Sequence, residues 1–184
     1  MLLENSISKL IRLYEETTFI PQSVIFSTGK NKSPVFGIDR GITLLLSTLR
    51  DQRGFDFLLI KNFNIILLPL DSYARTVECW ALQDILQFSE GQYQIFATTD
   101  TDDILFCDMK DDSSPVYAGS PGDPNFYKLS ASLTEFLEFY FAFSNFWKQR
   151  EDVPLEEFIA GTDDLIKCYL SPSVQTTAKE YLFR

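Results

Sequence analysis

The sequence contains no histidine among its 184 residues. That absence removes the commonest general base, the commonest zinc ligand and every nucleophile that depends on a Ser–His or Cys–His pair. An enzyme that works with carboxylates, lysine or tyrosine is not excluded by it. We nevertheless expect a non-enzymatic protein with no catalytic residue, no cofactor and no metal ligand.

Cysteine is also scarce. Cys79, Cys107 and Cys168 lie far apart and form no CxxC pair. A sparse, odd number of cysteines favours small, buried, reduced thiols over a disulfide framework. The spacing therefore predicts a reducing compartment.

Long hydrophobic runs and phosphate-binding glycine patterns are missing too. The apolar run from Ile65 to Leu70 is far shorter than the ~20 residues that a membrane span needs. The first residues show no basic segment followed by an apolar one, so no secretory signal is expected. The sequence contains neither G-x-G-x-x-G nor a Walker-type loop, and the turn at Ser120-Pro121 does not fit a nucleophile elbow. We expect a soluble, cytoplasmic protein.

What the sequence does contain is abundant core material and negative charge. Hydrophobic residues make up 45% of the chain, with 17 Phe and 8 Tyr, enough for one packed domain over residues 1–184. Residues 1–92 hold 9 basic and 10 acidic side chains, and residues 93–184 hold 7 and 16, giving net charges of −1 and −9. The negative electrostatic field of the second half of the chain repels nucleic acid and anionic membranes, and it attracts basic proteins.

Apolar runs separated by turn residues predict antiparallel strands. The runs 55–60 and 63–68 flank Lys61-Asn62 and predict a hairpin of buried strands. A meander follows, with strands at 93–98, 103–108 and 115–118 and a loop at 119–124.

Helical periodicity predicts the other elements, and together they indicate an α+β fold in which helices flank an antiparallel sheet. The last segment, 148–184, is predicted to be a helical extension interrupted at Gly161 and at Ser171-Pro172. A short strand is predicted at 24–27. Helices are predicted at 3–16, at 41–52, at 79–88 with Cys79, Leu82, Ile85 and Leu86 inward, from Ser132 onward and after Pro154.

The helix that begins near Ser132 has the strongest local signals. Ser132 and Glu135 form an S-x-x-E capping box. The helix then carries an unusually aromatic face that includes Tyr140, Phe141 and Trp147. That face predicts a core helix packed on the sheet, and a partner groove or a homo-oligomer interface is the alternative.

Six aspartates lie between residues 100 and 112, with Lys110 as the only basic residue among them. An EF-hand does not fit, because Ile104 occupies a ligand position and the required glycine and glutamate are missing. Solvated hairpin turns explain the cluster adequately. A docking surface for a basic protein is the functional alternative, and its candidate partner-binding residues are Asp100, Asp102, Asp103, Asp111 and Asp112.

The region 92–140 carries four segments in a recognisable order. They are Gln94–Thr99, Ile104–Asp108, Pro115–Tyr117 and the helix opening Ser132-Leu133-Thr134-Glu135-Phe136-Leu137. This order resembles the SUKH superfamily, named partly for yeast regulators of cell-wall synthesis. The resemblance implies an α+β fold and no enzymatic activity. Many bacterial members of that superfamily are thought to be immunity proteins that neutralise toxins, often nucleases.

Three functional hypotheses follow. The first is an immunity or regulatory protein that docks on and blocks a basic partner such as a toxin nuclease. The second is a structural protein that buries its aromatic helix face in a homo-oligomer. The third is a histidine-free enzyme with convergent carboxylates in an apolar pocket.

Overall fold

The computed structural model describes residues 5, 6, 8, 9, 55–57, 65–68, 73–99, 101–147 and 153–184. Six of its strands form one antiparallel sheet in which every strand pairs with its neighbour in the chain. The strands are β1 (Phe55–Phe57), β2 (Ile65–Leu67), β3 (Tyr93–Thr99), β4 (Ile104–Asp108), β5 (Val116–Gly119) and β6 (Phe126–Lys128).

The predicted meander is confirmed, and so is the antiparallel pairing of the two strands predicted before it. The predicted turn at Lys61-Asn62 lies outside the described residues. Strands β1 and β2 pair antiparallel, with Phe55 opposite Leu67. The predicted loop at 119–124 begins one residue later, since Gly119 still belongs to β5. Strand β6 was missed, because three residues that follow a Pro- and Gly-rich loop give too short a pattern to recognise.

Strands β3, β4 and β5 contribute side chains to a core on each face of the sheet, and a bulge adjusts which residues reach each face. The pairing of β3 with β4 shifts between Ile95 and Ala97, so Phe96 is an extra residue. Phe96 and Ala97 therefore pack in the same core, while Ile95 packs in the other. Along β4 the alternation is regular, with Phe106 on the side opposite Leu105.

Five helices with described ranges cover the two faces, in addition to the helical residues 5, 6, 8 and 9. The first two pack beside β3, and the last three belong to the larger core. They are α1 (Tyr73–Cys79), α2 (Leu86–Ser89), α3 (Leu133–Trp147), α4 (Leu155–Tyr169) and α5 (Gln175–Leu182).

The single helix predicted at 79–88 was wrong. Turns separate α1 from α2, and Ala81 has a positive φ of 51°, a conformation that a helix cannot contain. Cys79 and Leu86 are exposed, while Leu82 is buried as expected. Cys168 is exposed as well, so only Cys107 fits the expectation of buried thiols.

The serine half of the capping box of α3 forms as predicted, and the glutamate half differs. The amide of Glu135 donates to Ser132 Oγ at 3.1 Å. The Glu135 carboxylate reaches back one residue further than expected and accepts from the Ala131 amide at 2.9 Å. It also accepts from the amide of Ser171, and this bond ties the start of α3 to the end of α4. The glutamate at the start of α3 therefore also makes a tertiary contact with the residue that follows α4.

The aromatic face of α3 packs in the hydrophobic core, as predicted for a helix packed on the sheet. Tyr140 and Trp147 are buried within the chain, and Phe141 is half-buried. The proposed homo-oligomer would need this face to be free. Because the chain itself covers Tyr140 and Trp147, an oligomer would have to use another surface.

The predicted C-terminal extension is helical, and its two helices are part of the main core. Ile166 of α4, together with Ala178 and Tyr181 of α5, packs in the same core as the sheet and α3. The predicted break at Ser171 is real, since α4 ends at Tyr169 and α5 begins at Gln175. The predicted break at Gly161 is absent.

Gly161 lies inside α4 because two helices approach closely there. A Cβ at this position would lie 2.9 Å from Phe146 Cε1 and 3.2 Å from Trp147 Cζ2 of α3. The contact explains a glycine that helix propensity alone disfavours by about 1 kcal/mol.

We predict that Gly161→Ala destabilises the protein by about 1–2 kcal/mol, because overpacking outweighs the gain in propensity. Urea unfolding measures it. The neighbouring exposed Ala160→Gly should cost about 1 kcal/mol from propensity alone. A Gly161→Ala variant more stable than the wild type would contradict the close approach.

Other predictions lie partly or wholly outside the described residues. Residues 5, 6, 8 and 9 are helical, in agreement with the helix predicted at 3–16. The predicted strand at 24–27 and the predicted helix at 41–52 fall outside the described residues.

Candidate functional site

The β4–β5 turn places two predicted partner-binding residues in solvent. Asp111 and Asp112 are both exposed. Asp111 Oδ1 accepts from the Ser113 hydroxyl at 2.6 Å and from the Ser113 amide at 2.9 Å, an arrangement that closes the turn. These bonds, the hydroxyl first, lower the pKa of Asp111. Asp111 is therefore a fully charged side chain at neutral pH.

The β3–β4 turn carries the next candidate. Asp102 is exposed and has a positive φ of 63°, a left-handed conformation that aspartate tolerates better than most residues. Its amide donates to the Thr99 carbonyl at 3.1 Å and closes the turn. Asp100, the neighbouring candidate, lies outside the described residues.

These two turns lie at opposite ends of the sheet. Strand β4 runs from Ile104 to Asp108 between them, and five strand residues span roughly 17 Å. Asp102 and Asp111 are close in sequence and are kept apart by that strand. The single acidic cluster seen in the sequence is thus two separate acidic sites in the fold.

Asp103 does not belong to either exposed site, and its assignment to a docking surface needs correction. Its side chain is only 5% exposed. Asp103 Oδ2 accepts from the Tyr181 hydroxyl at 2.9 Å and pairs with the Arg184 guanidinium. The carboxylate links the β3–β4 turn to α5 and the residues after it, so its role is internal.

Sequence reasoning missed the group that surrounds Asp103. The Arg184 guanidinium carbon lies 4.4 Å from the ring centroid of Tyr181 and 5.6 Å from that of Tyr127. Burial, with a further contribution from Asp103, raises the pKa of Tyr181 well above its usual range. Tyr181 therefore stays protonated and donates to Asp103. No local pattern joins residues so far apart in sequence.

Asp123 lies in the β5–β6 loop, at the same end of the sheet as the β3–β4 turn and Asp103. Its Oδ1 accepts from the Asn125 amide at 2.9 Å, and its Oδ2 accepts from the Tyr127 hydroxyl at 3.0 Å. The Asn125 amide contributes most to lowering the pKa of Asp123. The hydrogen bond to Asp123 raises the pKa of Tyr127.

Several other carboxylates hold helices together. Asp163 on α4 pairs with Lys167 on the same helix and with Lys179 on α5. Glu138 on α3 pairs with Lys9 at 3.0 Å and also accepts from Ser6. Burial alone would raise the pKa of Glu138, but the bonds from Ser6 and Lys9 outweigh it and lower the pKa.

The acidic side chains therefore fall into two groups. Asp103, Glu138 and Asp163 are bound within the fold. Asp102 and Asp112 are exposed, and no ion pair joins either of them to another described residue. Asp111 is exposed too and accepts hydrogen bonds from Ser113, so all three of these turn residues are accessible to a partner.

Comparison with protein-family models, curated proteins and solved structures found no match for this chain. The resemblance to the SUKH superfamily remains a prediction that these comparisons do not test.

Among the described residues, no three His, Cys, Asp or Glu side chains are grouped so as to hold a metal ion. No described helix is both long enough and apolar enough to cross a membrane.

Proposed function

We propose that this chain is a non-enzymatic protein-binding module that docks on a basic partner protein. The observation that carries the proposal is the division of the carboxylates. The internal ones are paired, whereas Asp102, Asp111 and Asp112 project from sheet turns. Exposed, ionised groups at a rim mainly accelerate association and select partners of opposite charge.

The overall charge supports the same proposal. Residues 93–184 hold 16 acidic and 7 basic side chains, and they form most of the described structure. A net charge of −9 over that region creates a field that draws a cationic protein toward it. A toxin nuclease must itself attract phosphate and is a partner with suitable charge.

The most concrete form of the proposal is a cytoplasmic immunity or regulatory protein of the SUKH type that blocks its partner by binding. The partial match over 92–140 and the antiparallel sheet flanked by helices are compatible with it. The proposal needs no catalytic residue and no cofactor.

The test is capture of a partner from a lysate of the native host at low salt, followed by elution with rising salt and mass spectrometry. We expect one basic protein, released as screening increases. The matched baits are Asp102→Asn and the double variant Asp111→Asn/Asp112→Asn, which neutralise one turn each. We expect earlier elution from the bait whose turn the partner contacts.

Two results would count against the proposal. Recovery of the bait alone, or of nothing, would identify the acidic turns as ordinary solvated loops. A partner whose elution is the same from wild type and from both variants would bind somewhere other than these turns.

A further inference from the structure

Arg184 is held in a pocket of polar and aromatic side chains, which we call the arginine pocket and define by Asp103, Ser120, Tyr127 and Tyr181. One guanidinium nitrogen of Arg184 bonds to Asp103 Oδ2, and the other terminal nitrogen bonds to Ser120 Oγ. The guanidinium carbon lies 4.4 Å from the centre of the Tyr181 ring and 5.6 Å from the centre of the Tyr127 ring. Ionic, hydrogen-bonding and aromatic contacts therefore converge on one cation.

The walls of the arginine pocket are held in place by bonds in which Arg184 takes no part. The Tyr181 hydroxyl donates to Asp103 at 2.9 Å, and the Tyr127 hydroxyl donates to Asp123 at 3.0 Å. The centres of the Tyr127 and Tyr181 rings lie 5.8 Å apart. Because the sheet and α5 supply these contacts, we expect the pocket to keep its shape when Arg184 leaves it.

Arg184 is the member of this group that is free to leave. Helix α5 ends at Leu182, so Arg184 lies two residues beyond the helix. Its side chain is 34% exposed, whereas that of Asp103 is 5% exposed. Movement of Arg184 alone would therefore open a buried carboxylate between two aromatic rings. Since an unpaired buried carboxylate is costly, the opened pocket favours the uptake of another cation.

The shape of the pocket favours arginine over lysine. A guanidinium is planar and carries separate N–H groups, so it bonds to Asp103 and Ser120 together while it lies against the rings. A lysine ammonium is a point charge and cannot make the same set of contacts. Further carboxylates surround the pocket, because Asp102 is exposed in the adjoining turn and Asp123 bonds to Tyr127. The ligand that fits is an arginine side chain on a basic surface.

We infer that the arginine pocket is a recognition site for an arginine of a basic partner protein, and that Arg184 occupies the pocket until that arginine replaces it. A tethered side chain competes at an effective concentration of about 1 mM or more, so the incoming arginine needs support from other contacts. The exposed carboxylate of Asp102 supplies one of them. The inference rests on the proposed function and adds to it the residue type that the site recognises.

Arg184→Ala empties the pocket and allows an external arginine to be tested as its occupant. The probe is N-acetylarginine methylamide. The corresponding citrulline amide is an uncharged probe of the same shape, and the corresponding lysine amide is a different cation. Thermal unfolding of the full chain, followed by circular dichroism, is measured with each probe. Arg75→Ala is the matched control, because it removes an exposed arginine from α1.

We expect the arginine probe to raise the unfolding midpoint of Arg184→Ala by about 3–5 °C at roughly ten times its Kd. The wild type and Arg75→Ala should show a much smaller shift, since Arg184 fills their pockets. The citrulline and lysine probes should shift Arg184→Ala by less than half as much. If Arg184→Ala does not fold, Arg184→Lys serves for the same comparison, because lysine keeps a cation near Asp103 but cannot also reach Ser120 in the same planar geometry.

Equal shifts in all the proteins, or an equal shift with the citrulline or lysine probe, would overturn the inference. The absence of a shift in both Arg184→Ala and Arg184→Lys would overturn it as well. None of these results decides the proposed function, which depends on the capture of a basic protein from the lysate.

The captured partner gives the second measurement. Arg184→Ala should bind it about fivefold or more tightly than the wild type does, because the internal competitor is gone. A purely structural role for Arg184 predicts equal or weaker binding. That result would overturn the part of the pocket in partner recognition and would leave the proposed function standing.

Discussion

Replacing Phe136 with alanine should lower the free energy of unfolding by about 3–5 kcal/mol. The side chain is 1% exposed and lies where α3 crosses the sheet. Its ring stacks on Tyr140 at a centroid distance of 6.1 Å and meets Phe96 edge to face, also at 6.1 Å. Removing the ring would leave a cavity lined by Phe96 of β3 and Tyr140 of α3. Urea unfolding followed by circular dichroism gives the change.

Phe141→Ala is the matched control, because it is the same change five residues along the same helix. Phe141 is half-buried, and its ring lies 5.9 Å from Lys9 Nζ. We expect a loss of roughly 1 kcal/mol, since much of that ring is already in water. Equal losses at Phe136 and Phe141 would contradict the assignment of one aromatic face to the core. Sedimentation analysis of both variants should show an unchanged association state.

Replacing Arg184 with methionine should cost about 2 kcal/mol of stability, because Asp103 would keep a buried charge without its cation. Removing one partner of a fully buried pair costs about 3–5 kcal/mol, and Arg184 is 34% exposed, so solvent reduces that figure. The Tyr181 hydroxyl would remain as a donor to Asp103. Denaturant unfolding at neutral pH measures the loss.

The double variant Asp103→Asn/Arg184→Met separates the ion pair from lost packing. It removes the unpaired charge, so we expect it to be more stable than Arg184→Met alone. The coupling between the two changes should be about 1 kcal/mol or more. Strictly additive losses would mean that Arg184 acts through its other contacts, which are the rings of Tyr127 and Tyr181 and the hydroxyl of Ser120.

Local patterns were sufficient to predict five of the six strands and α3. Strand β4 is apolar on both faces, because Phe106 and Leu105 pack in different cores, and an uninterrupted apolar run is what such a strand requires. The Ser132–Glu135 capping box marks the start of α3 by a local hydrogen bond. These signals operate over a few residues, which is why the sequence reveals them.

Features that depend on distant contacts were not predictable in the same way. Gly161 looked like a helix break, since propensity carries no information about the rings of α3 against which it packs. The pairing of Asp103 with Tyr181 spans 78 positions in the chain. No periodicity or composition connects residues at that separation.

The acidic cluster shows the same limit for the candidate site. Six aspartates within thirteen positions suggested a single surface. A strand between two turns carries its flanking residues to opposite ends, so Asp102 and Asp112 are far apart in the fold although ten positions separate them in the chain. Exposed and buried members of such a cluster can be separated only by tertiary structure.

The most direct test of the central claim is the rate at which the captured partner associates with wild type, Asp102→Asn and Asp111→Asn/Asp112→Asn, measured by stopped flow over a range of salt concentrations. We predict that the wild-type rate falls roughly tenfold or more as salt rises, and that at least one variant associates more slowly at low salt with a weaker salt dependence. Association rates that are the same for all three proteins at every salt concentration would contradict the claim that exposed acidic turns guide the binding of a basic partner.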